Sequence, residues 1–495
     1  MTTLKFGKLA GILAVFCVAT SIASVAQTFT SLASFDGADG VDPQYMSLVQ
    51  GIDGNFYGTT DGGGANGNGT VFKITPEGTL TTLHSFCLQL PDCSDGAEPQ
   101  AGLVLASNGD FYGTTYGGGV NGYGTVFKIT AAGTLTTLYS FCAKKDCADG
   151  SLPYAALVQG TDGDFYGTTG YGGANCPNNG PKGCGTVFKI TAAGTPTQLY
   201  SFCAQATCPD GVLPVGGLVQ GTDGNFYGTT EGSATVGRLG TVFKITPTGT
   251  LTTLYGFCVQ TNCTDGANPY DGLVQATNGD FYGTTYTGGA NEGGTVFSIT
   301  AGGTLTTLDS FGIPDGGFPY AGLVQATDGN FYGTTPYSEV NRPVCNDQHC
   351  GTVFQITPAG TVTRLHNFVL TDGGLPHGGL LQATNGKLYG TTSYGGPISS
   401  NCSEGCGTVF SLSVGLGPFV KTNPTAGKVG ATVIILGNNL TGTTSITFNG
   451  TTAPLLKVTA SAIETSVPTG ATTGTVEVTR PSGVLNSNVA FQVLP

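Results

Sequence analysis

The sequence predicts an all-β protein whose larger part is a seven-bladed β-propeller closed by an N-terminal strand. Three observations carry that expectation. The phrase F-Y-G-T-T begins at Phe56, Phe111, Phe165, Phe226, Phe281 and Phe331, with a variant at Leu388, and self-similarity at such a period marks a repeat architecture. Of 495 residues, 83 are Gly and only 17 are basic and 30 acidic. That composition, without a strict Gly-X-Y period, fits neither collagen, nor a coiled coil, nor a disordered chain. Finally, a strand that the last copy lacks stands ahead of the first copy.

In chain order, Lys5 and Lys8 precede an apolar run from Leu9 to Ala19 and the small residues Ser24-Val25-Ala26, the layout of a secretory signal peptide. Phe16 before Cys17 is too bulky for a lipoprotein cleavage site, so residues 1–26 are read as a signal peptide and the mature chain starts at Gln27. Its removal takes away two Lys and no acid, which leaves 15 basic and 30 acidic residues and a charge of −15. Nucleic acid is a poor partner for such a surface, because its recognition draws on clustered Lys and Arg. No other apolar run is long enough to cross a bilayer as a helix.

Successive copies lie 55, 54, 61, 55, 50 and 57 residues apart, enough for one four-stranded unit with loops of varying length. In the second copy strand A is expected at Gly102 to Ala106, strand B at Asp110 to Tyr116, strand C at Gly124 to Thr130 and strand D at Thr134 to Phe141. Between A and B every copy has Asp-Gly or Asn-Gly, as at Asp53-Gly54 and Asn108-Gly109, residues that accept the positive φ of a two-residue hairpin. Between C and D six copies carry Gly before Thr, as at Gly78 and Gly133, where a short loop ends in a left-handed residue. The seventh copy stops after strand C at Gly407 to Phe410, whereas Thr28 to Phe35 matches the strand D of the second copy. A closed ring needs that displaced strand and a solenoid has no use for it. The propeller is therefore assigned to residues 27–413.

The C-to-D phrase G-T-V-F-K-I-T-x-x-G-T-L-T-T-L-Y-S-F resembles the Gloeo/Verruco tandem repeat of bacterial exported proteins over nearly all of residues 27–413. The resemblance implies a secreted or cell-surface location and carries no established activity. From Pro418 the pattern changes. Asn423-Pro424-Thr425-Ala426-Gly427, Val433-Ile434-Ile435-Leu436-Gly437, Ile446-Thr447-Phe448-Asn449-Gly450 and Val467-Pro468 are similar to an IPT/TIG domain. That second resemblance implies an immunoglobulin-like β-sandwich at residues 418–495, a spacer or docking module.

Setting Cys17 aside, 14 cysteines fall into seven local pairs: Cys87 and Cys93, Cys142 and Cys147, Cys176 and Cys184, Cys203 and Cys208, Cys258 and Cys263, Cys345 and Cys350, Cys402 and Cys406. In an exported chain this reads as disulfides. Zinc is disfavoured, since no pair has C-x-x-C spacing and the chain has four His. In an up-and-down unit the D–A crossovers and B–C loops share one face, and all seven pairs fall there. Variable loops on a rigid scaffold are where recognition concentrates; long loops also need stapling, and the spacing does not choose between the two.

Each crossover carries D-G-x-x-P, with Asp39, Asp95, Asp149, Asp210, Asp265, Asp315 and Asp372 four residues before Pro. A repeated turn is the favoured reading; a ring of carboxylates holding Ca²⁺ is the alternative, and no other cofactor is expected. The residue after that Pro varies: Gln44, Gln100, Tyr154, Val215, Tyr270, Tyr320, His377. These positions lead into the innermost strand and should ring the channel mouth, where Gln100, Tyr154, Tyr270, Tyr320 and His377 could bind a sugar by stacking and hydrogen bonding. The competing reading packs each Tyr between units. His84 and His366 occupy strand D positions held elsewhere by Tyr, which packing explains.

No nucleophile elbow, zinc-helix motif or phosphate loop is present, and no carboxylate pair stands apart from the repeat. His377 with Tyr320 is the one candidate acid–base set. The expected function is therefore a secreted or cell-surface, monomeric binding or adhesion protein that recognises a polysaccharide, a surface glycan or another surface protein. The alternatives are a lyase-like enzyme degrading extracellular polysaccharide and a purely structural surface module. Intact mass spectrometry of the exported protein tests the cleavage: a species beginning at Gln27 with all 14 remaining cysteines oxidised is expected, and a retained Cys17 would overturn it.

Overall fold

The F-Y-G-T-T phrase becomes the second strand of every unit in the computed structural model, which describes residues 27–495 except 89–92, 175–183, 206, 233–238, 313–315, 339–349 and 399–401. The expected signal peptide, Cys176, Asp315 and Cys345 lie outside the described residues. All five residues of Phe56–Thr60, Phe111–Thr115 and their counterparts are buried. The T-V-F-K-I strand that follows is nearly as buried. Strands covered on both faces lose the apolar–polar alternation of a half-solvated sheet.

Six four-stranded antiparallel sheets follow chain order and end in the strands Leu80–Ser85, Leu135–Ser140, Pro196–Ser201, Leu251–Gly256, Leu305–Ser310 and Val362–Asn367. The seventh combines Leu381–Gln382, Leu388–Thr392 and Thr408–Ser413 with the N-terminal strand Thr28–Ser34. Thr28 pairs with Ser413 and Ser34 with Thr408. The innermost strands are shorter than the sequence suggests: Val104–Leu105 rather than Gly102 to Ala106. Crowding explains the difference, because a Cβ at Gly102 would lie 2.6 Å from the Ser47 carbonyl oxygen of the preceding unit. Backbones this close leave the ladder before it reaches five residues.

Three kinds of joint connect successive units, the third absent only between the first and second, where Leu105 replaces the Gln. The Tyr of F-Y-G-T-T stacks on the next unit's Phe, with centroids 4.1 Å apart for Tyr57 and Phe111, 4.0 Å for Tyr112 and Phe165, and 3.9 Å for Tyr227 and Phe281. Its first Thr donates to a carbonyl of the next inner strand: Thr59 to Ala101, Thr114 to Ala155, Thr168 to Gly216, Thr229 to Asp271, Thr284 to Ala321 and Thr334 to Gly378. The Gln that ends an inner strand accepts from the preceding unit's hairpin turn, as Gln220 does from the Thr161 amide and Gln275 from that of Thr222. All three joints also run from the seventh unit to the first: Tyr389 on Phe56, Thr391 to Pro43, and the Thr384 amide to Gln50.

Disulfides join Cys87–Cys93, Cys142–Cys147, Cys203–Cys208, Cys258–Cys263 and Cys402–Cys406. Cys184 and Cys350 are also disulfide-bonded. Among the described residues the helical content is two three-residue 3₁₀ turns, Lys145–Cys147 and Thr261–Cys263, and no helix is long and apolar enough to cross a membrane.

Residues 421–494 form a separate sandwich around Val433, Ile435, Ile446, Phe448, Val478 and Phe491. One sheet holds Lys421–Asn423, Thr432–Leu436, Ala462–Ser466 and Lys457–Val458. This sandwich rests on the A–B turns, at the opposite end of the units from the disulfides. Asn423 donates to the carbonyls of Leu105 and Ala106, Ser461 to Ile52, Asn438 to the Thr384 hydroxyl and Gln492 to Thr222. Leu436 packs against Leu105 and Tyr57 in one apolar cluster. Leu105 stands where the other six units carry Gln, so the one departure at that position coincides with the seat of the sandwich.

Tyr227 is fully buried, stacks on Phe281 and donates to Asp223 at 2.8 Å. Tyr227→Ala should cost about 3–5 kcal/mol, read as a lowered urea midpoint; a loss within experimental error would show that the stack does not join the units.

Candidate functional site

The crossover and the start of the B–C loop lie side by side because their backbones bridge: Ala97 with Gly117, Ser151 with Tyr171, Ala267 with Thr287, Gly374 with Tyr394. The residue before each crossover Pro has positive φ, including Asp42 at 59°, Glu98 at 54° and Phe318 at 58°. This shared geometry brings two variable positions together at one end of each inner strand: the residue after Pro, and the residue after F-Y-G-T-T.

Tyr270, Tyr320 and His377 form one aromatic group. Tyr270 lies 4.9 Å from Tyr320, and Tyr320 lies 4.9 Å from His377 in edge-to-face geometry. Two residues that sequence reasoning missed complete it. Tyr286 sits 4.6 Å from Tyr320, and Tyr45 sits 5.6 Å from Tyr320 and 5.4 Å from His377. Tyr45 belongs to the first unit, is 41% exposed and has φ 55°, so it reaches across to the sixth and seventh. Tyr154 stands apart, 4.8 Å from Tyr116 and 6.3 Å from Tyr171. Gln100 faces Asp61. Gln44 also donates to Asp61, at 3.3 Å. Val215 makes no polar side-chain contact, having no group for one.

Carboxylates surround these rings, contrary to the expectation that none stands apart from the repeat. Tyr270 donates to Glu231 at 2.9 Å, and burial raises Glu231 above the usual carboxylate range. Burial likewise raises Asp61, and Glu98 with help from the Asp61 charge. Asp42 is pushed up to about 7, first by burial and then by Asp61, against a hydrogen bond from Ser393. Among the described residues none of the four is paired with Lys or Arg. A sequence signal did exist: the position after F-Y-G-T-T reads Asp61, Tyr116, Gly170, Glu231, Tyr286, Pro336, Ser393. The first crossover also carries one extra residue between Pro43 and Leu48.

His377 is 8% exposed, with Nδ1 3.0 Å from Ser393 Oγ. Burial lowers its pKa to about 4 and holds the Tyr320 phenol well above its ordinary value. Neither is therefore poised to exchange a proton near neutral pH. Farther along the inner strands lies a cavity of about 170 Å³ lined by Ser47, Gly217, Asp271, Gly322 and Gly379. There Asp271 accepts from the amides of Gly272 and Gly322, 2.6 and 2.7 Å away, and burial raises its pKa. Other units have Ala or Gly in its place, apart from the lengthened first crossover. A larger groove of about 580 Å³ between Tyr200, Asp210, Leu251 and Tyr255 runs along the outer strands and gathers none of the variable mouth residues.

Among the described residues, the D-G-x-x-P carboxylates are each engaged within a single crossover. Asp149 accepts from the Tyr139 hydroxyl and the amides of Ala143 and Lys144, Asp210 from Tyr200 and Ala204, and Asp265 from Tyr255 and Val259. Asp95 and Asp372 meet His84 and His366 at 3.0 and 3.2 Å, so these histidines take over the hydrogen bond of the Tyr they replace as well as its packing. Asp39 accepts from the Asp36 amide. Carboxylates committed to N–H and O–H donors are poor cation ligands. The sulfurs of Cys184, Cys203 and Cys208 lie within 4.8 Å of one another, but all three are in disulfides and offer no thiolate.

The native state holds a proton on Asp42 between the ordinary carboxylate range and pH 7 that the unfolded chain has released, so this contribution to stability falls as pH rises through that window. Asp42→Asn, compatible with a left-handed backbone, should raise the melting temperature more at about pH 8 than at about pH 4; equal effects at both would show that the carboxylate titrates normally.

The repeat model that describes Gloeobacter/Verrucomicrobia repeats matches residues 15–176, 88–262, 176–410 and 257–454, and the IPT/TIG domain model matches residues 419–493. No curated protein matches the chain. Similar solved structures include a candidate 6-phosphogluconolactonase from Bacteroides fragilis, with 17% identity, TM-score 0.42, and 68% of this chain and 86% of that one covered. A gluconolactonase from Xanthomonas campestris has 12% identity, TM-score 0.37, and 79% and 90% coverage. By the repeats that fill most of its length, the chain belongs to the Gloeobacter/Verrucomicrobia repeat family and ends in an IPT/TIG domain.

Proposed function

We propose that residues 27–413 close into a seven-bladed propeller, exported behind a signal peptide at residues 1–26, that serves as a surface or secreted module binding a glycan at its channel mouth. The observation that carries this reading is the meeting of Tyr45, Tyr270, Tyr286, Tyr320 and His377, from four different units, at the positions where the repeats differ. Half-buried Tyr rings offer faces for a sugar ring and hydroxyls for its edges. Disulfides and the lack of a long apolar helix among the described residues fit an extracellular protein. The sandwich at residues 418–495 seats on the turn face and leaves the mouth free to meet a surface.

A second reading is enzymatic, favoured by Asp42 near pH 7 beside Asp61, a carboxyl able to give and take protons in the working range. The pair His377 and Tyr320 does not support a lyase, because each is held in its neutral form.

Retention of the oxidised protein on immobilised neutral polysaccharides tests the binding reading. A Tyr270→Ala/Tyr320→Ala variant should lose roughly tenfold or more in affinity, with Tyr154→Ala affected less. Unchanged retention in the double variant would move the site elsewhere, and release of soluble saccharides would favour the enzyme.

A further inference from the structure

The mouth is chemically one-sided, and we propose that the ligand it takes carries a cationic ammonium group, held against the faces of Tyr45, Tyr270 and Tyr320 and balanced by Asp42, Asp61 and Glu231. The inference rests on the mouth being a binding site and names the chemistry of what it binds.

Three independent features converge on an ammonium. Aromatic rings from four units meet in one cluster: Tyr45 touches Tyr320 and His377, and Tyr320 touches Tyr270 and Tyr286. The rings pack against one another, with centroids 4.6 to 5.6 Å apart, and the ring faces left exposed, that of Tyr45 above all, carry the negative electrostatic surface that favours a cation over a neutral group of equal size.

Second, the acids lack counter-charges. Tyr45 feels the charges of both Asp42 and Asp61, Tyr270 feels that of Glu231, and no Lys or Arg among the described residues compensates them. Partly buried carboxylates without a cation are costly. A uronate or sulfated ligand would add to that cost, and a neutral polyol would leave it in place.

Third, acceptors go unused. Asp42 Oδ1, Asp61 Oδ1 and Gln100 Oε1 are shielded from solvent and receive no hydrogen bond, although buried acceptors are normally satisfied. A protonated amine supplies both missing quantities, donors and positive charge, whereas a quaternary ammonium supplies only the charge and hydroxyls only the donors. The negative charge of the whole chain draws cations toward the same opening.

Isothermal titration of the full oxidised protein with choline, and with its uncharged isostere bearing a tert-butyl group in place of trimethylammonium, tests the proposal. Choline should bind roughly tenfold tighter than the isostere, and an Asp61→Asn/Glu231→Gln variant with an unaltered melting temperature should lose that preference. Glucosamine oligomers should likewise outbind N-acetylglucosamine oligomers of equal length if the cation comes from an amino sugar; choline binding without that difference assigns it to a quaternary amine and still supports the proposal. Equal binding of choline and isostere, or no effect of the double substitution, would overturn it. Retention on neutral polysaccharides with choline ignored would overturn the cationic ligand alone, while loss of both would overturn the mouth as a site.

Discussion

Each unit is held to its neighbour through one tyrosine, and the rest of the structure follows from what that tyrosine requires. Its ring packs over the next unit's phenylalanine with the two planes 23–36° apart, a contact that sets the spacing of adjacent sheets. In four units its hydroxyl is tied to an Asp of its own A–B turn, as Tyr57 is to Asp53 and Tyr166 to Asp162, so the stack also orders the hairpin. An aromatic pair of this kind contributes about 0.5–1.5 kcal/mol beyond its buried area. Repeated around the units, the stack brings the inner strands so close that side chains beyond a methyl group are rarely admitted. Gly102, Gly272 and Gly378 each face a neighbouring carbonyl that a Cβ would meet at 2.6, 2.4 and 2.3 Å.

This closeness explains which parts of the structure were legible in the sequence. Strand B, strand C, the Asp-Gly and Asn-Gly turns and the displaced strand at Thr28–Ser34 were all readable, because every copy repeats the same local solution. The length of strand A was not, since it is set by contacts with the adjacent unit rather than by its own residues. The site was legible only in part for a related reason. Tyr270, Tyr320 and His377 were identified by the variable position after Pro, and they do meet. Asp61, Glu231 and Tyr286 come from a second variable position, which only the folding of the crossover against the B–C loop brings beside the first. Tyr45 exists as an insertion in a single copy, where periodicity gives no register.

The crossovers divide structural and chemical work between neighbouring residues. Asp149, Asp210 and Asp265 hold the outer strand and the loop amides, with a disulfide beside each. In the crossover that begins at Phe368 there is no cysteine, and Asp372 bonds His366 and the Val369 amide without that help. Because these shared contacts fix the backbone, the residues on either side of the Pro are free to differ between units. A rigid frame with independently variable side chains is what allows acids and aromatics from several units to gather at one end of the inner strands.

The sandwich seated on the A–B turns has a kinetic meaning. It contacts the first, second, fourth and seventh units together, through Ile52, Leu105, Thr222 and Thr384, and so straddles the end of the inner strands remote from the aromatic mouth. If the units enclose a central passage, as the proposed propeller would, the sandwich closes its far end and makes it a cul-de-sac. A polymer could not thread it, and a guest would have to back out by the door it entered, displacing and readmitting water through that one opening. Residence time would then be governed by the side chains at the door, Tyr45 foremost, whatever the depth of the chamber behind it.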